Sequence, residues 1–173
     1  LCMGQSEPNF GRFVRFMRGD GCSIETLRKA LKGVDYVFHE AALSSSQLHN
    51  TDPAKGAEIN IVGFAKLLKL ASKAKVQKVV YASTSSIYGN SALPQYEDMK
   101  VEPPNFYAAT KYAMEQYARI FYESYGLQAI GLRYFSVYGP GETHKKQYAN
   151  ILTQFIWNIL REERPAIWGD GTQ

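Results

Sequence analysis

Tyr107-Ala108-Ala109-Thr110-Lys111 puts a phenol and an ammonium four residues apart. On a helix that spacing brings both to one face, with about 5–6 Å between their Cβ atoms. An ammonium there stabilises tyrosinate, and a phenol with an ordinary pKa of ~10 comes within reach of general-base work. The pair does not decide the matter by itself. Twelve Tyr and twelve Lys in 173 residues place about 0.8 such pairs by chance, the risk carried by any short motif. A second pair, Tyr96 and Lys100, holds Glu97 and Asp98 ahead of a double proline and reads as loop. Taken alone, Tyr107 would serve equally as an aromatic at a helix start.

Ser83-Thr84-Ser85-Ser86 follows an apolar run, Val76 to Ala82, that reads as a buried strand. Parallel sheets bind ligands outside the carboxyl ends of their strands. Hydroxyls at such an end can bond a substrate alcohol while a tyrosinate removes its proton. His39-Glu40-Ala41-Ala42 ends another apolar run. No second His stands at helical spacing, so no metal site is expected there. Ala41 and Ala42 are small enough for a flat cofactor to approach the backbone. His49 and His144 read as isolated surface residues and Cys22 as a small core hydrophobe. Tyr81, Tyr117 and Phe121 read as core aromatics.

Alternating elements must position these groups. Five strand candidates are expected: Arg12 to Arg18, Val34 to Phe38, Val76 to Ala82, Leu127 to Arg133, and one starting at Ala166 to Trp168. Helices are expected from Ser23 to Leu31, from Asp52-Pro53 to about Lys75, from Phe106 to Tyr125, and from Tyr148 to Arg161. Ser23 and Asp52 supply N-caps, Pro53 suits the first helical position, and Gly33 and Gly126 are stops. Ile61, Phe64, Ala65, Leu68 and Ala71 fall at helical spacing and define a buried face. Strands alternating with long helices imply an α/β fold with a parallel sheet.

Composition narrows the class further. With 45% hydrophobic and 21% charged residues, the chain reads as one globular domain able to bury about two-thirds of its unfolded surface. The net charge of +4 is spread thinly and Lys145-Lys146 is the only dense basic step, so no nucleic-acid partner is expected. No run approaches 18 apolar residues and Leu1 to Phe10 has no apolar signal core, so neither a membrane partner nor a leader is expected. Two cysteines cannot build a disulfide framework or a four-ligand zinc site. A cytoplasmic location follows. Gly19-x-Gly21 and Gly139-x-Gly141 each lack the third glycine of a dinucleotide turn, and both ends read as cut from a longer protein.

Seven segments in order resemble the extended short-chain dehydrogenase/reductase superfamily, and in particular its NAD-dependent nucleotide-sugar epimerases and dehydratases. They are Gly19-Asp20, Val37 to Ala42, Asn60 to Gly63, Val80 to Gly89, Tyr107 to Lys111, Leu132 to Gly139 and Trp168 to Gln173. The resemblance implies a Rossmann-type doubly wound parallel sheet, spanning 1–173 as a partial NAD-binding domain. Its first βα unit and its C-terminal substrate domain would lie outside the chain, and 140–173 would lead into the substrate region. Leu1-Cys2 would follow the second strand.

Roles follow from the same resemblance. Tyr107 would be the base, Lys111 the lysine that tunes it and bonds the nicotinamide ribose, and Thr84 the assisting hydroxyl. Asp20 would contact adenine, while Ala41, Ala42, Asn60, Ser83, Tyr134 and Phe135 would line NAD. Thr84, Ser85, Tyr107, Ser136 and Trp168 would meet the nucleotide sugar. The family usually has Asn where Ser136 stands, and an aliphatic residue where Gly21 follows Asp20.

The resemblance also implies oxidation at the sugar C4 followed by divergent fates. Dehydratases of this kind carry Asp-Glu directly after the threonine, and decarboxylases carry Glu at the second position. Here Ser85-Ser86 stand instead. A UDP-hexose 4-epimerase using tightly bound NAD, and acting as a homodimer, is the resulting expectation. The alternatives are another NAD-dependent dehydratase or reductase of the superfamily, and a catalytically silent nucleotide-binding module.

Overall fold

The computed structural model describes residues 13–167 and residue 170; the side chains of residues 144, 147 and 148 lie outside the description. Two compact units divide it, 16–135 on one hand and 1–15 with 136–173 on the other.

The larger unit is built on three parallel strands in sequence order, β1 (Tyr36–His39), β2 (Lys78–Ala82) and β3 (Gln128–Leu132). Val37, Val79 and Ala129 share one rung and His39, Tyr81 and Gly131 another. Backbone bonds from Ser83 N–H to Leu132 O and from Ser85 N–H to Tyr134 O, each 2.9 Å, carry the β2–β3 pairing past the strand ends.

Helices join the strands. The first, α1 (Ile24–Ala30), starts where the Ser23 hydroxyl accepts the Thr26 N–H. Between β1 and β2 run α2 (Ser46–Thr51), α3 (Pro53–Ala57), a π-helical turn (Glu58–Val62) and α4 (Gly63–Lys73). Asp52 caps α3 with Pro53 at its start, an arrangement that satisfies orphan N–H groups with a side-chain oxygen. Between β2 and β3 come a 3₁₀ turn (Ser85–Tyr88) and α5 (Phe106–Tyr125). Asn105 caps α5, and Gly126 ends it in the left-handed region at φ 68°, where a Cβ is unfavourable.

Phe64, Leu67, Leu68 and Ala71 of α4 and Met114 and Ala118 of α5 bury Val79 and Tyr81 of β2. Burial of such side chains, about 1.5–3 kcal/mol for each of the larger ones, is what holds strand and helices together. Phe64 sits between two aromatic neighbours, 4.7 Å from the Tyr81 ring and 5.4 Å from the His39 ring. The opposite sheet face carries Phe38, 73% exposed, together with Ile130 and Leu132.

The smaller unit holds a 3₁₀ segment (Glu142–Tyr148) and α6 (Ile151–Leu160). Lys145 and the Thr153 hydroxyl both bond the Glu142 carboxylate, which holds its pKa down at about 2.

Several expectations are corrected. Residues 13–18 form no strand and 166–167 are irregular; Arg12 and Trp168 lie outside the described residues. Strand preference is realised only on a half-buried pleated surface, and Phe13 is 99% exposed. The expected helix over 52–75 is interrupted by the π turn, and a short helix, α2, precedes it. Ile61 and Ala65 are only half-buried, Leu67 taking a core place instead. The last helix begins at Ile151 because Asn150 caps it. Tyr117 is 42% exposed rather than core, and His49 is fully buried rather than on the surface.

Candidate active site

One face of α5 grips three consecutive residues at the end of β2. Tyr107, Lys111 and Glu115 stand at i, i+4 and i+8, so they line one stripe. The Lys111 ammonium donates to Ala82 O at 2.7 Å. The Ser83 hydroxyl donates to a Glu115 carboxylate oxygen at 2.5 Å. The Thr84 hydroxyl oxygen accepts the Ser86 N–H at 3.2 Å, and the same hydroxyl acts to lower the pKa of the Tyr107 phenol. Strand end and helix are thereby locked in register, which is how a phenol, an ammonium and a hydroxyl come together.

Electrostatics differ from the simple pairing expected of Tyr107 and Lys111. Burial raises the Tyr107 phenol above its ordinary value, and the Thr84 hydrogen bond opposes that. Lys111 is 2% exposed, and burial brings its ammonium down to about 8, with Glu40 opposing. A lysine near 8 is mostly protonated at neutral pH yet can release its proton. His39 is pushed down to about 4 by burial and then by the Lys111 charge. Its Nε2 is buried with no hydrogen-bond partner.

Glu115 is tied a second time. Arg133 Nε and Nη2 meet its two carboxylate oxygens at 3.0 and 2.8 Å, a bidentate pair with both side chains mostly buried. Arg133 Nη1 donates to the Tyr88 hydroxyl and to Glu97 O, each at 3.0 Å. These partners raise the guanidinium pKa further, so the ion stays charged. A cavity of about 530 Å3 adjoins this network, with Tyr81, Tyr88, Glu115, Arg133, Tyr134 and Phe135 in its wall. The Phe135 ring stacks on Tyr88 at 6.3 Å.

Asn60 is buried on the π turn with its amide committed inside the fold. Its oxygen accepts Leu43 N–H at 2.9 Å, and its nitrogen faces Leu43 O, His49 Nε2 and Thr110 Oγ1 at 3.1, 3.2 and 3.0 Å. It thus holds the loop that follows Ala41 and Ala42, the first exposed and the second half-buried. Asp20 is exposed and caps the turn through Cys22 N–H at 2.9 Å. Ser85 opens the 3₁₀ turn, Tyr134 and Phe135 follow β3, and Ser136 begins the smaller unit. Trp168 lies outside the described residues. Tyr96 is exposed in an irregular segment with Lys100.

Sequence reasoning missed Glu115, Arg133 and His49. A signal existed for Glu115, one further turn along the Tyr107–Lys111 stripe. Arg133 lay within a recognised segment without a role. For His49 the only sign was Gly56, whose lack of a Cβ makes room for the ring.

Residues 3–173 match the model of the NAD dependent epimerase/dehydratase family. A UDP-glucuronate 4-epimerase of Thermodesulfobacterium geofontis is 38% identical over 162 residues, covering 92% of this chain and 49% of that protein. A UDP-glucose 4-epimerase of Thermotoga maritima, solved with UDP-glucose, superposes with a TM-score of 0.86 at 31% identity, covering 94% of this chain and 54% of the other. A UDP-N-acetylglucosamine 4-epimerase of Methanobrevibacter ruminantium, in complex with UDP-N-acetylmuramic acid, gives 0.81 at 40% identity over 85% and 48%. The chain spans about half the length of the curated relatives it matches.

Proposed function

The chain belongs to the NAD dependent epimerase/dehydratase family, and we propose that the whole protein is a UDP-sugar 4-epimerase. The observation that carries this reading is the Tyr107 phenol one turn ahead of the buried Lys111 on α5, whose ammonium is fixed on Ala82 O beside Ser83 and Thr84. A phenol so placed can exchange a proton with a secondary alcohol, and the fixed hydroxyl of Thr84 orients it. Lys111, poised near 8, offers a charge that favours tyrosinate once the alcohol is seated.

The residues fit NAD as cofactor. Lys111 spends one N–H on Ala82 O, which leaves donors for a ribose hydroxyl, and His39, at the end of β1, has its Nε2 buried without a partner. Bound NAD would supply the hydride acceptor and donor. Tyr107 then takes the C4 hydroxyl proton and later returns one, Thr84 holds the oxygen, and Lys111 balances charge. Asp20, Ala41, Ala42, Ser83, Tyr134 and Phe135 belong to the cofactor side of the proposal, with Asn60 supporting the Leu43 loop. Ser85, Ser136 and Trp168 belong to the sugar side.

Elimination of water needs a further acid and base. Ser85 and Ser86 carry none, and the neighbouring Glu115 carboxylate is committed to Arg133 and to the Ser83 hydroxyl, which favours epimerisation over dehydration. Among the described residues no helix is long and apolar enough to cross a membrane; cytoplasmic residence and a homodimer are part of the same proposal. Incubation of the whole protein with UDP-glucose, UDP-glucuronate and UDP-N-acetylglucosamine tests it. Interconversion of C4 epimers without mass change is expected. Loss of water, or a net yield of NADH, overturns it.

A further inference from the structure

His49 is fully buried on α2, a short helix far from any solvent need for a charge. An imidazole is costly to bury unless both nitrogens are bonded, and here both are. Nδ1 stands 2.9 Å from Ser45 O. A carbonyl oxygen only accepts, so Nδ1 carries the hydrogen and Nε2 of the neutral ring is an acceptor. Asn60 Nδ2 stands 3.2 Å from it, sharing its two hydrogens among this nitrogen, Leu43 O and Thr110 Oγ1, and the Asn60 amide is itself oriented by Leu43 N–H on its oxygen. Two bonds on opposite sides fix the ring plane.

That fixed ring stands against Tyr107, with centroids 5.4 Å apart and planes at 61°. The edge-on arrangement is the favoured one for aromatic pairs. Thr110, which accepts from the same Asn60 amide, donates to Tyr107 O at 2.8 Å. The phenol residue is therefore held at its ring by His49 and at its backbone by Thr110. Space for the imidazole is specific: a Cβ on Gly56 would lie 2.3 Å from His49 Cδ2 and 2.6 Å from Nε2.

We infer that His49 is a positioning residue that fixes the Tyr107 ring on Thr84, and that Gly56 exists to admit it. The inference rests on the reading of Tyr107 as the proton-transfer group. His49 touches neither cofactor nor sugar in this account; it acts through Tyr107 alone.

Two variants of the whole protein test it, His49→Leu, which removes the ring, and Gly56→Ala, which drives a methyl into it. Steady-state kinetics should show kcat reduced about tenfold or more with KM for the UDP-sugar unchanged, and with melting confirming that the enzyme assayed is folded. Independently of turnover, the Tyr107 phenol is titrated by NMR of 13Cζ-labelled tyrosine, assigned with Tyr107→Phe. Its midpoint should move by about half a pH unit or more, a roughly threefold change in acidity. A Tyr107 midpoint unchanged in whichever variant folds overturns the inference, as does a kcat that falls only in step with the folded fraction. Should the wild-type protein fail to interconvert C4 epimers, the proposed function falls, and the phenol titration still decides the role of His49.

Discussion

Lys111→Met should abolish turnover without destabilising the fold at neutral pH. The lysine loses about 2.5 units between its ordinary 10.5 and about 8 in the folded chain. At about 1.4 kcal/mol per unit, carrying the charge in this site costs on the order of 3 kcal/mol. The sign is set by where the proton binds more tightly. Below pH 8 both states are protonated and the folded state bears the whole cost. Between about 8 and 10.5 the native lysine releases its proton first, the unfolded chain holds more protons, and stability rises with pH. Above 10.5 the cost is gone.

Against this, Met forfeits the 2.7 Å bond to Ala82 O, which leaves a carbonyl short of a donor at about 1–3 kcal/mol. The variant should thus be as stable as wild type at pH 7 or more stable, by up to roughly 2 kcal/mol, and by pH 10.5 it should be the less stable by about the 1–3 kcal/mol of the lost bond. Urea unfolding of both proteins followed by circular dichroism at pH 7, 8, 9 and 10.5 measures the difference, in which other titrating groups cancel. Parallel curves at all four pH values would refute the reasoning, as would a variant less stable at pH 7 by more than about 1 kcal/mol.

Glu115→Leu strands the Arg133 guanidinium and the Ser83 hydroxyl, and should cost about 3–5 kcal/mol, as breaking a buried pair does; chemical denaturation reads it, and a loss under about 1 kcal/mol would mean the pair is spectator. Gly63→Ala places a methyl 2.7 Å from Cys22 Sγ, an overpacking worth about 1–3 kcal/mol. Cys22→Ala in the same chain should relieve most of it, and additive losses in the double variant would contradict the contact. Tyr96→Phe alters an exposed loop residue and should leave epimerisation unchanged; a tenfold fall in kcat/KM would mean that the wrong tyrosine–lysine pair carries the chemistry.

The 20 residues of α5 were legible end to end because Asn105 and Gly126 mark its limits with local chemistry. β2 and β3 were legible because their apolar runs are short and bounded. Arg12 to Arg18 is likewise short and rich in Phe, Val and Met, but a strand is a relation between segments, and composition does not supply the partner. The π turn was not legible: Ile59, Asn60, Ile61 and Val62 are weak helix formers, but weak propensity does not tell a π turn from an ordinary helical one. The stripe of the candidate site was half legible. Tyr107 and Lys111 show at i and i+4, whereas Arg133 is joined to Glu115 only when β3 pairs beside β2, 18 residues along the chain. His49 was misplaced because a polar residue is assigned to the surface until its partners are known, and those partners, Asn60 and Ser45, come from different turns.

Asn60 meets both the N–H and the C=O of Leu43. Its side-chain amide therefore does for that loop residue what a neighbouring strand does for a residue in a ladder, with one peptide-like group substituting for a whole segment. The slowest-exchanging amides of a protein normally map its helices and sheets. Here the Leu43 amide, outside any regular element, should exchange with deuterium on the timescale of the β2 core and at the pace of whatever motion frees the π turn. Slow exchange at an irregular position would then report a local opening in which loop and helix let go as one unit.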